Sequence, residues 1–198
     1  MSSHHFVKEG QEPALILGSP FDEASIGPLL EWAPVVITLP GAIDQLIERS
    51  IKTDVVVMPA SEERKITLRM EHQAPFRFIS TRGLQDPLTT AFDYLISRGQ
   101  FEVNVWVDDA RQIFDRAEDY VGRLGICIID THTKWSAIRS GNFKKWYPAN
   151  SMVQIRSKHG FIVSGTESSR RENQIEVLET GILEISSLQS FWVSETLG

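Results

Sequence analysis

Between Glu12 and about Asp130 the chain repeats one pattern, a short apolar run closed by a turn and followed by an amphipathic stretch, and this repetition narrows the fold more than any other feature. Ala14-Leu15-Ile16-Leu17 is closed by Gly18-Ser19-Pro20. Asp22 and Glu23 then suit a helix start, because carboxylates favour its unpaired N–H end. Val35 to Leu39 repeats the run, Pro40-Gly41 turns the chain, and Ile43, Leu46 and Ile47 fall on one helical face. Asp54 to Met58 gives a third strand, Ser61 to Lys65 a charged connection, and Phe76 to Ile79 a further strand. Thr90 to Arg98 reads as a helix with Ala91, Tyr94 and Leu95 inside and Gly99 as its left-handed cap. Phe101 to Val107 then reads as strand, Arg111 to Arg123 as helix, and Gly125 to Ile129 as strand. Continuous apolar strands separated by helices predict a Rossmann-like, mostly parallel sheet with helices on both faces.

After Asp130 the texture changes. Lys134–Ser140, Ser151–Ser157, Gly160–Ser164, Gln174–Leu178, Ile182–Ser186 and Phe191–Ser194 are short β-leaning runs with Gly, Asn, Pro and Ser at the joints. Val153/Ile155 and Ile175/Val177 alternate, which gives each strand one packed and one wet face. The expected class is therefore α/β plus β: an α/β domain over residues 1–131 and an antiparallel β-sandwich or roll over residues 132–198.

Composition narrows the function classes. With 20 Lys+Arg against 26 Asp+Glu, the formal net charge is −6, so no global field draws the surface to nucleic acid or anionic lipid. No apolar run approaches the ~20 residues that span a bilayer, and the first twelve residues carry no long apolar segment. The one cysteine, Cys127, lies in an apolar run, which excludes a disulfide framework and a cysteine-based zinc cage. A reducing, cytoplasmic setting is expected.

Ligands of open α/β sheets sit outside the C-terminal strand edge, which directs attention to the turns after each strand. Gly18, Ser19 and Gly41 would let a backbone approach a phosphate, or would simply turn the chain; neither a P-loop nor a dinucleotide fingerprint is present. Asp108 and Asp109 precede a helix, where capping competes with metal ligation. Asp130 and His132 flank Thr131 as an acid beside a base, or as a surface turn. Ser168, Ser169, Arg170 and Arg171 would grip an anion or form a solvated hairpin tip. Trp192 would cover an aromatic ligand, dock on a second subunit, or pack in the core.

Four phrases together carry a resemblance. They are Pro34 to Asp44 (with Thr38-Leu39-Pro40-Gly41 at its centre), Ile51-Lys52-Thr53-Asp54 running into Val57, Ala91 to Gly99, and Phe143-Lys144-Lys145-Trp146-Tyr147-Pro148-Ala149. In these phrases and in the order of its elements the chain resembles the thiamine pyrophosphokinase family over nearly its whole length. The resemblance implies an α/β domain followed by a thiamine-binding β domain, a homodimer with thiamine held between subunits, and transfer of a diphosphate from ATP to the hydroxyethyl group of thiamine with magnesium.

Magnesium prefers oxygen ligands and must neutralise the phosphates while the hydroxyl attacks. Family members draw carboxylates from an Asp-Gly turn after the second strand, a Gly-Asp-x-Asp-Ser turn after the third, and an Asp-Lys-Thr-Asp motif opening the next helix. Here the first aspartate is matched by Pro40, and the second turn reads Met58-Pro59-Ala60-Ser61. The third reads Leu84-Gln85-Asp86-Pro87-Leu88-Thr89, with the family's aspartates falling on Leu84 and Pro87. Asp86 stands near that place, Arg111 matches the arginine of a later family turn, and Ser168-Ser169 echoes the family's Ser-Asn pair. The expected outcome is a family-like architecture with no metal site and no catalytic residue. Gly18, Ser19, Gly41, Ser61, Asp86, Arg111, Ser168, Ser169 and Trp192 are the residues through which thiamine, a nucleotide or a partner would still bind. Magnesium and ATP enter only where the family activity persists, in which case Asp86, Asp108 and Asp109 would be relocated ligands.

Overall fold

The structure is a computed structural model that describes residues 12–32, 34–83 and 85–197. Leu84 and the N-terminal residues 1–11 therefore lie outside the described residues. The chain forms two compact units that meet in sequence at Leu124 and Gly125. The division expected near residue 131 thus falls seven residues earlier, since Gly125–Ile129 pairs antiparallel with the strand that follows it, Cys127 opposite Ser136 and Ile129 opposite Lys134.

The first unit contains strands β1 (Ala14–Leu17), β2 (Val36–Thr38), β3 (Val55–Pro59), β4 (Arg77–Thr81) and β5 (Glu102–Trp106). They are parallel and lie in the order β5-β1-β2-β3-β4. The connecting helices are α1 (Glu23–Leu30), α2 (Ile43–Glu48), α3 (Glu63–Arg69), α4 (Pro87–Ser97) and α5 (Phe114–Glu118). Every residue of β1 and β2 is buried, as is β3 through Met58, which is what continuous apolar runs require when a sheet is covered on both faces. No residue of β4 is fully buried, in keeping with its place at the end of the strand order.

Local chemistry sets the helix boundaries. Asp22 caps α1 by accepting from the Ser25 N–H at 2.8 Å, as the sequence predicts. α4 starts three residues before the expected Thr90, because Asp86 caps it and Pro87, whose missing N–H has no role there, takes the first helical position. Two expectations need correction. The stretch read as a charged connection, Ser61 to Lys65, runs through a 3-10 turn into α3, whose one buried residue, Ile66, is too slight an apolar face to register as a periodicity. The helix expected over Arg111 to Arg123 is broken into a 3-10 turn at Ala110–Gln112 and the short α5, where Phe114 and Ala117 are buried.

A buried polar tie fixes β2 against β3. Thr38 Oγ1 and Thr53 Oγ1 are 2.9 Å apart, and Thr53 also donates to a carbonyl of either strand, Val36 at 3.1 Å and Val55 at 3.0 Å in shared fashion. Beside it the Asp54 carboxylate accepts the Val36 N–H at 2.9 Å. The Thr53-Asp54 phrase is thus occupied in holding strands together.

The second unit is built from strands β6 (Gly125–Ile129), β7 (Thr133–Ile138), β8 (Asn142–Tyr147), β9 (Met152–Arg156), β10 (Phe161–Gly165), β11 (Ser168–Arg171), β12 (Gln174–Val177), β13 (Gly181–Ser187) and β14 (Phe191–Thr196). One antiparallel array runs β11-β12-β9-β14-β7-β6, and a separate sheet runs β10-β13-β8. Val153, Ile155, Ile175, Val177, Phe191 and Val193 of the first array share one core cluster with Tyr147, Phe161, Leu183 and Ile185 of the second. β8 and β11 were not expected as strands: their Lys-, Ser- and Arg-rich residues are mostly exposed or half-buried, and strand pairing overrides their weak patterning. No helix among the described residues is long and apolar enough to cross a membrane.

Candidate functional site

β1 and β5 lie side by side although the chain between them forms β2, β3 and β4 on the other side of β1. The winding reverses at this pair, and such a switch point leaves a crevice outside the C-terminal strand ends. A cleft of about 290 Å³ opens there. Its walls come from Gly18 and Ser19 after β1, Leu39 and Pro40 after β2, Asp86 to Leu88 at the start of α4, and Val107 to Asp109 with Gln112, Ile113 and Arg116 after β5.

Three carboxylates line this cleft, and two of them are committed. Asp86 Oδ2 accepts the N–H groups of Leu88 and Thr89 at 3.1 and 3.2 Å, while its Oδ1 receives Arg116 Nη1 at 2.7 Å. Asp109 accepts from the Arg111 side chain at 2.8 and 3.0 Å and from the Arg111 N–H at 3.0 Å. The Arg111 guanidinium and then its N–H hold the Asp109 carboxyl below the ordinary carboxylate range. Asp108 is exposed beside them.

This donor set does not fit magnesium. The ion requires near-octahedral oxygen ligation at about 2.0–2.1 Å, whereas Asp86 and Asp109 spend their lone pairs on helix N-termini and arginines. Among the described residues no group of three or more His, Cys, Asp or Glu is placed to hold a metal ion. Both arginines near the cleft are likewise engaged, Arg116 with Asp86 and with the Gln112 carbonyl at 2.7 Å, and Arg111 with Asp109. Neither offers a phosphate the unpaired fork that strong anion recognition uses.

The glycines have a packing role. A Cβ added at Gly41 would stand 2.4 Å from the Gly18 carbonyl oxygen, so the turn after β2 rests directly against the turn after β1. At Gly18 a Cβ would meet the Trp106 carbonyl oxygen at 3.1 Å and Val107 Cγ1 at 3.2 Å. Close approach of backbone to backbone accounts for both positions.

The other sequence candidates fall elsewhere. Pro40 and Pro87 reach the cleft, but Pro59, Ser61 and Arg111 are exposed residues outside its lining, and Leu84 lies outside the described residues. In the second unit, Ser168 and Ser169 face Val177 and Glu176 across the β11–β12 ladder, so they belong to a strand and not to a hairpin tip. Trp192 is 2% exposed and presents no open face. The Asp130 carboxylate accepts the backbone N–H groups of His132 and Thr133 at 2.9 and 2.7 Å, which makes the segment a side-chain-stabilised turn. Arg116 was missed because nothing local marks it; its partner is thirty residues away in sequence.

No protein-family model matches the chain, and no curated protein sequence matches it. Solved structures do. A yeast thiamin pyrophosphokinase superposes with a TM-score of 0.68 at 6% identity, over 96% of this chain and 88% of that one. The thiamin pyrophosphokinase of Candida albicans gives 0.66 at 10% identity over 95% and 90%, and that of Geobacillus thermodenitrificans gives 0.66 at 11% over 93% and 97%. The chain has the fold of the thiamin pyrophosphokinases.

Proposed function

We propose that this chain, which has the thiamin pyrophosphokinase fold, is a thiamin pyrophosphokinase-like protein that transfers little or no diphosphate from ATP to thiamine. The observation that carries this reading is the commitment of Asp86. Its oxygens cap α4 and hold Arg116, so both oxygens of the carboxylate nearest the expected metal motif are already bonded within the protein. Positions Pro40, Pro59, Ser61 and Pro87 supply no carboxylate in its place. Losing a preorganised electrostatic partner of a transition state costs on the order of 10²-fold in rate for each effective group, and several are lost together.

Incubation with ATP, magnesium and thiamine, with AMP and thiamine diphosphate followed chromatographically, tests the reading. No product above the protein-free control is expected. Formation of both products at ordinary enzyme rates would end the proposal and make Asp86, Asp108 and Asp109 the first candidates for relocated ligands.

A second reading is favoured by the persistence of the cleft itself: binding without turnover. With both arginines paired and Asp108 unpaired among the described residues, the lining suits thiamine, a cation, better than a nucleotide. Calorimetric titration with thiamine, thiamine diphosphate, ATP and AMP separates the cases, and silence across the panel points to a protein partner. The homodimer implied by the sequence resemblance belongs to the same proposal and is read by sedimentation equilibrium.

A further inference from the structure

Successive side chains of a strand point to opposite faces, and the rows facing the core of the second unit are broken at two places. Tyr147 belongs to the core cluster and Phe143 packs against it, so Lys145 shares their row on β8. Phe191 and Val193 belong to the same cluster, so Glu195 shares their row on β14. Two charges therefore occupy positions where the alternation calls for apolar residues, and they meet. Lys145 Nζ donates to Glu195 Oε1, Tyr147 Oη donates to the same oxygen at 3.2 Å, and Nζ lies 5.5 Å from the centroid of the Tyr147 ring. Burial first, then the Glu195 carboxylate, push the Tyr147 phenol well above its ordinary value, so it remains a hydrogen-bond donor. With side chains 45% and 30% exposed, the pair is screened by solvent and contributes little to stability.

The three groups line a cavity of about 460 Å³ at the strand ends joined by Pro148, Asn150 and Ser151, where residues of both rows meet, and its other walls include Trp146, 58% exposed, and Met152. Its size falls in the range of small-molecule pockets. Bonding capacity is left over inside it. Among the described residues no hydrogen bond or ion pair reaches Glu195 Oε2, and Lys145 Nζ, which carries three N–H groups, meets one acceptor. The pair has no net charge, so a simple cation attracted by Glu195 is repelled by Lys145, and a simple anion the reverse. A ligand with an ammonium beside a carboxylate is matched to both.

We propose that this cavity binds a small zwitterion of the α-amino-acid class with an aromatic side chain. The ligand ammonium donates to Glu195 Oε2, its carboxylate accepts from Lys145 Nζ, and its ring lies against the Trp146 indole and the Met152 thioether. The site lies wholly within the second unit and does not depend on the reading of the cleft above.

Calorimetric titration of the full chain with L-phenylalanine, phenethylamine and 3-phenylpropanoate tests the proposal, since the last two each lack one charge. L-Phenylalanine is expected to bind about tenfold or more tightly than either analogue, as charge-assisted hydrogen bonds to both partners require. Lys145→Met and Glu195→Gln each weaken it by a similar factor. Trp146→Ala, a change at an exposed side chain that leaves the melting temperature in place, also weakens it severalfold and decides the matter where the charge variants fail to fold. Absence of L-phenylalanine binding up to about 10 mM, equal binding of phenethylamine, or unchanged affinity in Trp146→Ala overturns the proposal.

Discussion

Arg116 Nη1 stands 2.7 Å from Asp86 Oδ1, while Asp86 Oδ2 takes the first free N–H groups of α4. One carboxylate thereby fixes the start of one helix and joins it to the next, across thirty residues of sequence. Replacing Asp86 by Ala removes a helix cap, a change that typically costs about 0.5–2 kcal/mol. The ion pair adds little, because the Arg116 and Asp86 side chains are 40% and 32% exposed and solvent screens them. Urea unfolding should show Asp86→Ala destabilised by about 1–2 kcal/mol and Arg116→Ala by less than about 1 kcal/mol. Stability should be indifferent to added magnesium in either variant. A magnesium-dependent rise in the unmodified protein that Asp86→Ala abolishes would assign the carboxylate to metal instead.

Gly41→Ala is the severest small change near the cleft. Its methyl would stand 2.4 Å from a backbone oxygen, which cannot swing aside as a side chain can. Overpacking of this kind costs about 1–3 kcal/mol. Gly18→Ala, with its nearest contacts at 3.1 and 3.2 Å, should cost less. Thermal unfolding of the two variants checks the order; the reverse order would remove the backbone contact as the reason for Gly41.

The Thr38–Thr53 tie is buried, each side chain at 0% exposure. Thr53→Val leaves the Thr38 hydroxyl without its side-chain partner, and an unsatisfied buried hydroxyl costs about 1–3 kcal/mol. The double variant Thr38→Val/Thr53→Val removes both hydroxyls at nearly constant shape and should recover part of that loss. A double-mutant cycle measures the coupling, and strictly additive losses would show that the two hydroxyls act independently.

Burial pushes the Cys127 thiol up to about 11. The protonated form is the one the fold favours, so this contribution to stability is complete below the ordinary thiol value of 9.0 and is lost as pH rises from there through about 11. At pH near 8 the folded protein should react with an aromatic disulfide reagent far more slowly than the urea-unfolded chain, because the thiolate is the nucleophile. Equal rates would contradict the burial.

Much of the first unit was legible because its strands are continuous apolar runs, Ala14–Leu17 and Val55–Met58 among them, and because Asp22 and Gly99 mark helix ends by their chemistry. α3 was hidden by its single buried residue, and α5 by an amphipathic stretch that promised a longer helix. The candidate site was legible in its location, since Gly18, Gly41 and Asp86 stand at or beside the switch point, but not in its bonding. Which carboxylates remain available depends on Arg111 and Arg116, and the pairing of Arg116 with Asp86 is a tertiary contact with no local signal. In the second unit the broken rows at Lys145 and Glu195 were readable in principle from their alternation with Phe143 and Tyr147, and with Phe191 and Val193. The weak apolar character of β8 as a whole concealed its register.

The claim on which the functional reading stands is that the cleft after β1 and β5 lacks a group of free carboxylates able to hold a divalent cation, Asp86 and Asp109 being bonded and Asp108 standing alone. Manganese, a paramagnetic substitute for magnesium, titrated with ATP into ¹⁵N-labelled protein tests it directly. The predicted result is that the amide signals of Ser19, Asp86, Asp108 and Asp109 broaden no more than those of exposed acidic residues elsewhere. Selective, saturable broadening of those four signals at equimolar manganese would contradict the account.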